Sequence, residues 1–431
     1  MTATISSHAD VRKANGTTGP YEVEKIRQHF PALRGERIPL NNATGSLVYD
    51  GAVKAVNGQA SIANAMSTYQ LDFIGGDQVS QRTIDERNLK YAELAAFMNA
   101  EPNEIAFGPS TSGLIRSVTT SLRPLLNSDS EMIVSTLCHE AGCTSWVALA
   151  RSLGIEIKWW SPPGGKGNTN AKDSIETLKP LLSPKTRLVA CGHISNIFGT
   201  IHDIRAIADV VHTVPNAMLS VDGVAWAPHR PIDVKAMDAD FYFFSWYKLF
   251  GPHFAQMYAR SSVQQRHMTS LNHYHIDPTP LDVKVRLGTN CFEYEDGVLE
   301  IVRYIRRIGW DNIIAHEVVI VQPLLDYLND HPEWFTIYGE KSSDPELRVS
   351  LVSFTVNGVS SKLIAKTIHE TSPCRILAGS AYSLRPVHDV LGLDDEGVIR
   401  VSLVHYNNLQ DVQIFVKVLD RVVRAHVKNE V

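Results

Sequence analysis

A single lysine stands in an aromatic run, in the stretch "FYFFSWYKLFGP" from Phe241 to Pro252. The aromatic residues before it are typical of a buried strand, and Gly251-Pro252 predicts a turn after it. Burial at the end of such a strand lowers the pKa of a lysine, and the neutral amine can attack a carbonyl carbon. Lys248 is therefore a candidate for covalent catalysis. The alternative is an ordinary surface lysine with a buried stem.

Other polar residues follow predicted strands in chain order. Ser110, Thr111 and Ser112 in "FGPSTSGLI" begin a predicted helix, where hydroxyl and backbone N–H groups can bind a phosphate. A carboxylate beside an apolar strand is costly unless a cation pairs with it. Each residue by itself also has an ordinary explanation as a helix cap, a surface histidine or a turn residue. The remaining candidates are His139 in "STLCHEAG", Asn196 in "GHISNIFGT" and Asp222 in "SVDGVAWAPH".

The order of these residues matches what pyridoxal phosphate requires of a protein. Its aldehyde needs a lysine, its pyridine nitrogen needs a carboxylate, its phosphate needs helix amides, and its ring needs a stacking partner. A phosphate site, a histidine, an asparagine, an aspartate and a lysine at successive strand ends would supply these groups together. The sequence therefore predicts pyridoxal phosphate as the cofactor, and no metal site.

The elements that position these residues alternate between short apolar strands and amphipathic helices. This alternation predicts an α/β fold with a mainly parallel central sheet covered by helices. After about Gly288 the pattern changes to paired helices and longer strands, which predicts a smaller α+β domain. The predicted divisions are a tail and helix over residues 1–35, a large cofactor domain over 36–287 and a small domain over 288–431. A ligand cleft is expected at the carboxyl ends of the parallel strands.

Composition excludes several classes of protein. The 431 residues are 44% hydrophobic and 20% charged, which is typical of soluble globular chains. A formal net charge of -5 without long basic runs argues against a nucleic-acid partner. The sequence has no apolar run long enough to span a membrane and no secretory signal. Five cysteines without a CxxC pair predict reduced thiols in the cytoplasm.

The segment "VDGVAWAPHRPIDVKAMDADFYFFSWYKLFGP" resembles the long aspartate-to-lysine segment of class V, fold-type I pyridoxal-phosphate enzymes of the cysteine desulfurase group. The similarity extends from "LNNATGS" to "IRVSLVHYNN". It implies a fold-type I transferase, an amino-acid substrate and a homodimer with active sites near its interface. It also implies that Lys248 forms the Schiff base, Asp222 pairs with the pyridine nitrogen and His139 stacks on the ring.

The same resemblance assigns the remaining contacts by position. An arginine suits the substrate α-carboxylate because its planar fork donates two parallel hydrogen bonds. The assigned residues are Asn196 near the ring hydroxyl, Ser110, Thr111, Ser245 and Tyr247 at the phosphate, Thr289 at the phosphate of the partner subunit's cofactor, and Arg400 and Asn42 at the substrate.

The departures from the resemblance concern the reaction. In "ILAGSAYSLRP", Tyr382 stands where desulfurases carry the sulfur-accepting cysteine, and Cys374 lies several residues upstream. A phenol cannot replace a thiolate nucleophile. Ala225 replaces the usual glutamine three residues after the aspartate. These changes resemble a desulfurase-like branch that has no catalytic cysteine and includes fungal alkaloid-pathway enzymes that perform Mannich-type cyclisation.

The predicted function is a biosynthetic reaction at Cα of an amino-acid-derived substrate, with carbon–carbon bond formation by Mannich-type cyclisation as the specific form. Lys248, His139 and Tyr382 are the predicted catalytic residues. Two alternatives stay open, a β-eliminating C–S lyase and a non-catalytic protein that binds the cofactor. His273 and His275 in "SLNHYHIDP" lack a third metal ligand, so they are predicted to contact the substrate from an entrance loop.

Overall fold

The N-terminal segment packs against the C-terminal part of the chain. The computed structural model describes residues 21–63, 78–272, 280–288 and 291–427. Helix α1 (Val23–Arg27) is followed by a 3-10 turn at Pro31–Arg34 and by strand β1 (Ile38–Pro39). The α1 residue Arg27 pairs with Asp411 at 2.9 Å. This ion pair joins the N-terminal and C-terminal parts of the described chain.

A large sheet forms the centre of the molecule. Four neighbouring pairs of its strands run parallel, whereas β8 is antiparallel to both of its neighbours. Within the described residues the order is β2-β8-β7-β6-β5-β3-β4. The strands are β2 (Ile105–Gly108), β3 (Glu131–Ser135), β4 (Glu156–Trp160), β5 (Thr186–Gly192), β6 (Met218–Asp222), β7 (Phe241–Ser245) and β8 (Ala255–Ala259).

Helices cover both faces of this sheet. They are α2 (Asp50–Ala63), α3 (Gln78–Ala96), α4 (Thr111–Leu122), α5 (Glu140–Leu153), α6 (Ile175–Leu178), α7 (Ile204–Val211), α8 (Val234–Met237), α9 (Ser261–His267), α10 (Leu281–Val285) and α11 (Phe292–Ile308). None of the helices in the described part of the chain is long and apolar enough to cross a membrane.

Strand β7 shows why its sequence is continuously apolar. Phe241 and Phe243 belong to the core formed with α4 and α5, whereas Tyr242 and Phe244 belong to the core on the opposite face. Successive side chains of a strand point to opposite faces, so both faces of β7 need apolar residues. The aromatic run before Lys248 is therefore the middle of a two-sided core.

A four-stranded antiparallel sheet in the order β12-β13-β10-β9 forms the smaller unit. Strand β11 pairs with β1 in a separate short parallel ladder. The elements are α12 (Trp310–Asn329), β9 (Phe335–Tyr338), β10 (Leu351–Val356), α13 (Ser361–Thr371), β11 (Cys374–Arg375), β12 (Leu377–Gly379), a π-helix at Pro386–Leu391, β13 (Val398–Ser402) and α14 (Leu409–Val427).

The predicted fold class is confirmed, because a mainly parallel sheet covered by helices is joined to a smaller α+β unit. The sequence pattern does not predict strand β8. Its apolar residues follow the Gly251-Pro252 turn, which is typical of the end of a strand. The domain boundaries stay a prediction. Helix α11, which was assigned to the small domain, contributes Val298 and Ile301 to the core of the large sheet.

Candidate active site

A cavity opens at the carboxyl ends of β5, β6 and β7. Parallel strands end at the same edge of a sheet, so residues that follow different strands meet there. Eight predicted site residues line the cavity: Ser110, Thr111, His139, Asn196, Asp222, Ser245, Tyr247 and Lys248.

Lys248 is buried in the turn after β7, with 8% of its surface exposed. Its backbone N–H donates to the Ser245 carbonyl at 3.2 Å, which fixes the turn. Burial lowers the pKa of the ammonium group to about 8, and the positive charge of Arg400 acts in the same direction. At pH 7 about a tenth of the Lys248 amines are therefore neutral, far more than for an ordinary lysine, and the neutral amine is the nucleophile.

Asp222 ends β6 and lines the cavity. Its Oδ1 accepts a hydrogen bond from Val224 N at 2.9 Å, and burial raises the pKa of the carboxyl group. No cation of the described residues lies within ion-pair distance of it. A Cβ on Gly142 would lie 2.5 Å from Asp222 Oδ2, so only glycine leaves room for the carboxylate there. Such an unpaired carboxylate fits a protonated pyridine nitrogen.

The cavity-lining residues at the start of α4 and the end of β7 have the donors that a phosphate needs. Ser110 caps α4, with its Oγ accepting from Gly113 N at 3.1 Å. The Oγ atoms of Thr111 and Ser245 lie 2.6 Å apart. The first N–H groups of a helix have no acceptor within that helix and carry a partial positive charge. Ser110, Thr111 and Ser245 therefore fit the phosphate group of the predicted cofactor.

His139 caps the N-terminus of α5 with its ring. Its Nδ1 accepts from Ala141 N at 3.1 Å, so the proton of the neutral ring is on Nε2. Burial lowers the pKa of His139 to about 4, and the charges of Lys248 and Arg400 add to this effect. The ring is neutral and held in one orientation. This geometry suits ring stacking better than proton abstraction.

Arg400 is 2% exposed in β13, and the acceptors that it contacts among the described residues are all neutral. Its Nη1 donates to Asn196 O at 3.1 Å, and its Nη2 donates to Thr44 Oγ1 at 3.0 Å and to Asn41 Oδ1 at 3.3 Å. Its buried Nε has no hydrogen-bond partner among the described residues. Burial lowers the pKa of the guanidinium group to about 10. A buried cation without a carboxylate partner is suited to an anionic ligand.

That Asn42 contacts the substrate stays a prediction, and in the structure its polar atoms are bonded within the protein. Its Nδ2 donates to Ser402 O at 2.8 Å and to Asn407 Oδ1 at 3.0 Å, and its Oδ1 accepts from Tyr406. The side chain is buried and its hydrogen bonds are used within the protein. The neighbouring Asn41 contacts Arg400 instead. The sequence held a signal, two adjacent asparagines, but did not indicate which one faces the arginine.

Three predicted residues, His273, His275 and Thr289, lie outside the described part of the chain. Asn196 lines the cavity, but both of its side-chain polar atoms also contact the segment that carries Tyr382. Tyr382 is 77% exposed, and its ring centre lies 6.3 Å from that of His139. The structure therefore brings Tyr382 beside the cavity from the small unit.

None of the described residues that line the cavity is a cysteine. Cys374 is buried in β11, and burial raises the pKa of its thiol. Cys138, Cys143 and Cys191 are buried as well, with raised thiol pKa values, and Cys291 is exposed. A thiolate nucleophile needs both exposure and a lowered pKa, and none of these thiols combines them.

The chain is similar to known proteins along most of its length. It matches the aminotransferase class-V family over residues 75–415. It is 50% identical over 401 residues to the nonribosomal peptide synthetase-like enzyme fsqF of Aspergillus fumigatus, in a match that covers 93% of this chain and 26% of that protein. It is 46% identical over 409 residues to the cysteine desulfurase-like protein ustD of Aspergillus flavus, covering 93% of this chain and 91% of that protein.

A solved structure gives the same fold. The crystal structure of the cysteine desulfurase CsdA from Escherichia coli superposes with a TM-score of 0.79 at 23% sequence identity, covering 94% of this chain and 100% of that one. At this identity the likeness concerns the fold alone.

Proposed function

Because the chain belongs to the aminotransferase class-V family, whose cofactor is pyridoxal phosphate, we propose that it forms a carbon–carbon bond at Cα of an amino-acid-derived substrate. Mannich-type cyclisation onto an imine is the specific reaction. The observation that carries the proposal is a cavity with the groups that activate an amino acid but without a thiol. The two fungal relatives, a desulfurase-like protein and a nonribosomal peptide synthetase-like enzyme, support a biosynthetic setting.

Each proposed role follows from the position of the side chain. When bound, pyridoxal phosphate supplies an electron-accepting ring for the pair released at Cα. Asp222 would keep the pyridine nitrogen protonated, and His139 would stack on the ring. Arg400 binds the α-carboxylate. The neutral amine of Lys248, with its pKa lowered to about 8, moves the proton at Cα.

Tyr382 completes the proposed site. Its ring lies beside His139, its hydroxyl donates the proton to the imine nitrogen as the new bond forms, and its exposure lets water restore that proton. Ser110, Thr111, Ser245 and Tyr247 bind the phosphate.

A homodimer in the cytoplasm is part of the proposal. Thr289 would reach the phosphate of the partner subunit's cofactor, and Leu287, two residues before it in sequence, has an apolar side chain that is 73% exposed. The described cysteines are free thiols, which fits a reducing compartment.

The second candidate is a β-eliminating C–S lyase, which also needs no enzyme cysteine. Product analysis separates the two functions. Purified protein loaded with cofactor is incubated with amino acids carbon-13 labelled at Cα, with and without imine-forming carbonyl compounds, and the products are identified by mass spectrometry. The proposal predicts a product in which the labelled Cα carries a new carbon bond. Release of a keto acid with sulfide would favour the lyase, and cofactor binding without any product would favour a non-catalytic protein.

Replacing all five cysteines with alanine or serine should leave turnover within about twofold of the wild type in a folded protein. The physical reason is that the buried thiols have raised pKa values and none lines the cavity. Turnover and melting temperature are measured on the same sample, which separates loss of chemistry from loss of folding. Activity that vanished and returned on restoring Cys374 or Cys291 alone would overturn the thiol-free mechanism.

A further inference from the structure

The segment from Ser380 to Arg385, here called the Tyr382 segment, has an unusual backbone. Ala381 and Tyr382 both lie in the left-handed region, with φ of 51° and 55°. This conformation is unfavourable for residues with a Cβ, and two such residues in succession need contacts that hold them. Those contacts come from the large sheet and its helices.

One asparagine makes two of the contacts. Asn196 Nδ2 donates to the Ala381 carbonyl at 3.2 Å, and Ser383 Oγ donates to Asn196 Oδ1 at 2.8 Å. Ser383 is 0% exposed, so water does not compete for this bond. The amide of Asn196 therefore bridges the wall of the cavity and the residues on both sides of Tyr382.

Two further contacts use different elements. Glu140 N, in the first turn of α5, donates to the Tyr382 carbonyl at 3.0 Å. The Arg385 guanidinium lies 3.5 Å from the ring centre of Trp159 in β4. Together with Asn196, these contacts attach the Tyr382 segment to three separate parts of the large unit.

The Tyr382 side chain takes no part in this attachment. It remains 77% exposed in the isolated chain, beside the ring of His139. Its hydroxyl has no hydrogen-bond partner among the described residues. The backbone on both sides is thus held firmly while the ring is left open to a ligand at the mouth of the cavity.

We propose that Ser383 and Asn196 are positioning residues that fix the Tyr382 segment on the large unit, so that Tyr382 is a stationary wall of the substrate site. This deepens the proposed function, on which it rests for the identity of the reaction. The substrate then meets a Tyr382 ring in a fixed position beside His139, and selection does not depend on movement of the segment.

Hydrogen exchange tests the attachment without any turnover. Ser383→Ala removes the bond to Asn196 and leaves the lining of the cavity intact. This hydrogen bond holds the Tyr382 segment against the large unit, where the Tyr382 carbonyl accepts from the Glu140 amide. Its loss should therefore speed exchange of the Glu140 amide about two- to tenfold. Glu140 is a suitable reporter because it is distant in sequence from the substitution. The measurement is mass spectrometry of the peptide that contains residues 138–142, with and without pyridoxal phosphate.

Ser360→Ala is the matched control. Ser360 Oγ accepts from Leu363 N at the start of α13, so its loss weakens the small unit away from the cavity. This variant should lower the melting temperature without changing exchange at Glu140. Unchanged exchange in Ser383→Ala, or an equal increase in both variants, would overturn the proposal.

A double-mutant cycle tests whether Ser383 acts through Tyr382. Ser383→Ala should lower kcat/KM about two- to tenfold in the wild-type background. In a Tyr382→Ala background the same substitution should have an effect below about twofold, because the positioned side chain is gone. Equal effects in both backgrounds would contradict a positioning role. Failure of the proposed reaction would appear as wrong products, whereas failure of the attachment would appear in the exchange data.

Discussion

Replacing Lys248 with alanine should abolish covalent attachment of pyridoxal phosphate and lower turnover about a hundred- to ten-thousand-fold. The reason is that Lys248 supplies the buried amine of the cavity, with its pKa lowered to about 8. Cofactor should still bind non-covalently through the phosphate end. Borohydride reduction followed by peptide mass spectrometry should place the pyridoxyl group on Lys248 in the wild type and nowhere in the variant.

The pH dependence of attachment follows from the same pKa. Below about pH 8 the amine of the apoprotein is mostly protonated, so the attachment rate should rise about tenfold per pH unit and level off above about pH 8.

Lys284→Met is the matched control for this experiment. Lys284 is the other buried lysine of the described residues, and its ammonium group donates to Gln264 O at 3.3 Å, away from the cavity. This variant should keep the pyridoxyl label on Lys248 and most of its turnover. A label on another lysine in the wild type would contradict the assignment of Lys248.

Replacing Asp222 with asparagine should lower turnover about a hundred- to a thousand-fold, as expected when a preorganised charge is removed from a site. Asparagine is close to aspartate in size and keeps an acceptor for Val224 N, but it cannot hold the pyridine nitrogen protonated. The measurements are single-turnover rates and the absorption spectrum of the bound cofactor. Unchanged rates with normal cofactor binding would remove Asp222 from the proposed mechanism.

Asp222→Asn should lower turnover but raise the stability of the apoprotein at neutral pH. Burial raises the pKa of Asp222 above its ordinary value of 3.8, so the folded state binds this proton more tightly than the unfolded state. The wild type therefore loses stability relative to Asp222→Asn as pH rises from about 3.8 through the raised pKa. At neutral pH the variant apoprotein should have the higher melting temperature, and added pyridoxal phosphate should reduce the difference.

Glu295→Gln provides a control for the stability measurement. Burial raises the pKa of Glu295 to about 7, and the residue lies in α11, outside the cavity. Its replacement should alter the pH dependence of melting while turnover stays within about twofold. A similar loss of turnover in both carboxyl variants would point to a general effect of altered charge.

The sequence by itself determined the fold class and much of the site, because both depend on local patterns. Alternating strands and helices specify a covered parallel sheet. The end of each strand is marked by the first polar residue after an apolar run, as at Asp222. Residues at the carboxyl ends of neighbouring parallel strands lie at the same edge of the sheet. The sequence alone therefore predicts that His139, Asn196 and Lys248 line one site.

Tertiary structure decided which side chains face the cavity and what holds them. Asn41 and Asn42 are adjacent, but only the register of the N-terminal segment against β13, 359 residues away from Asn41 in sequence, directs Asn41 to Arg400. Asn196 reaches Ala381 across 185 residues, and no local pattern marks that contact. Local propensity sets the type and ends of an element, whereas the packing of distant segments sets the orientation of its side chains.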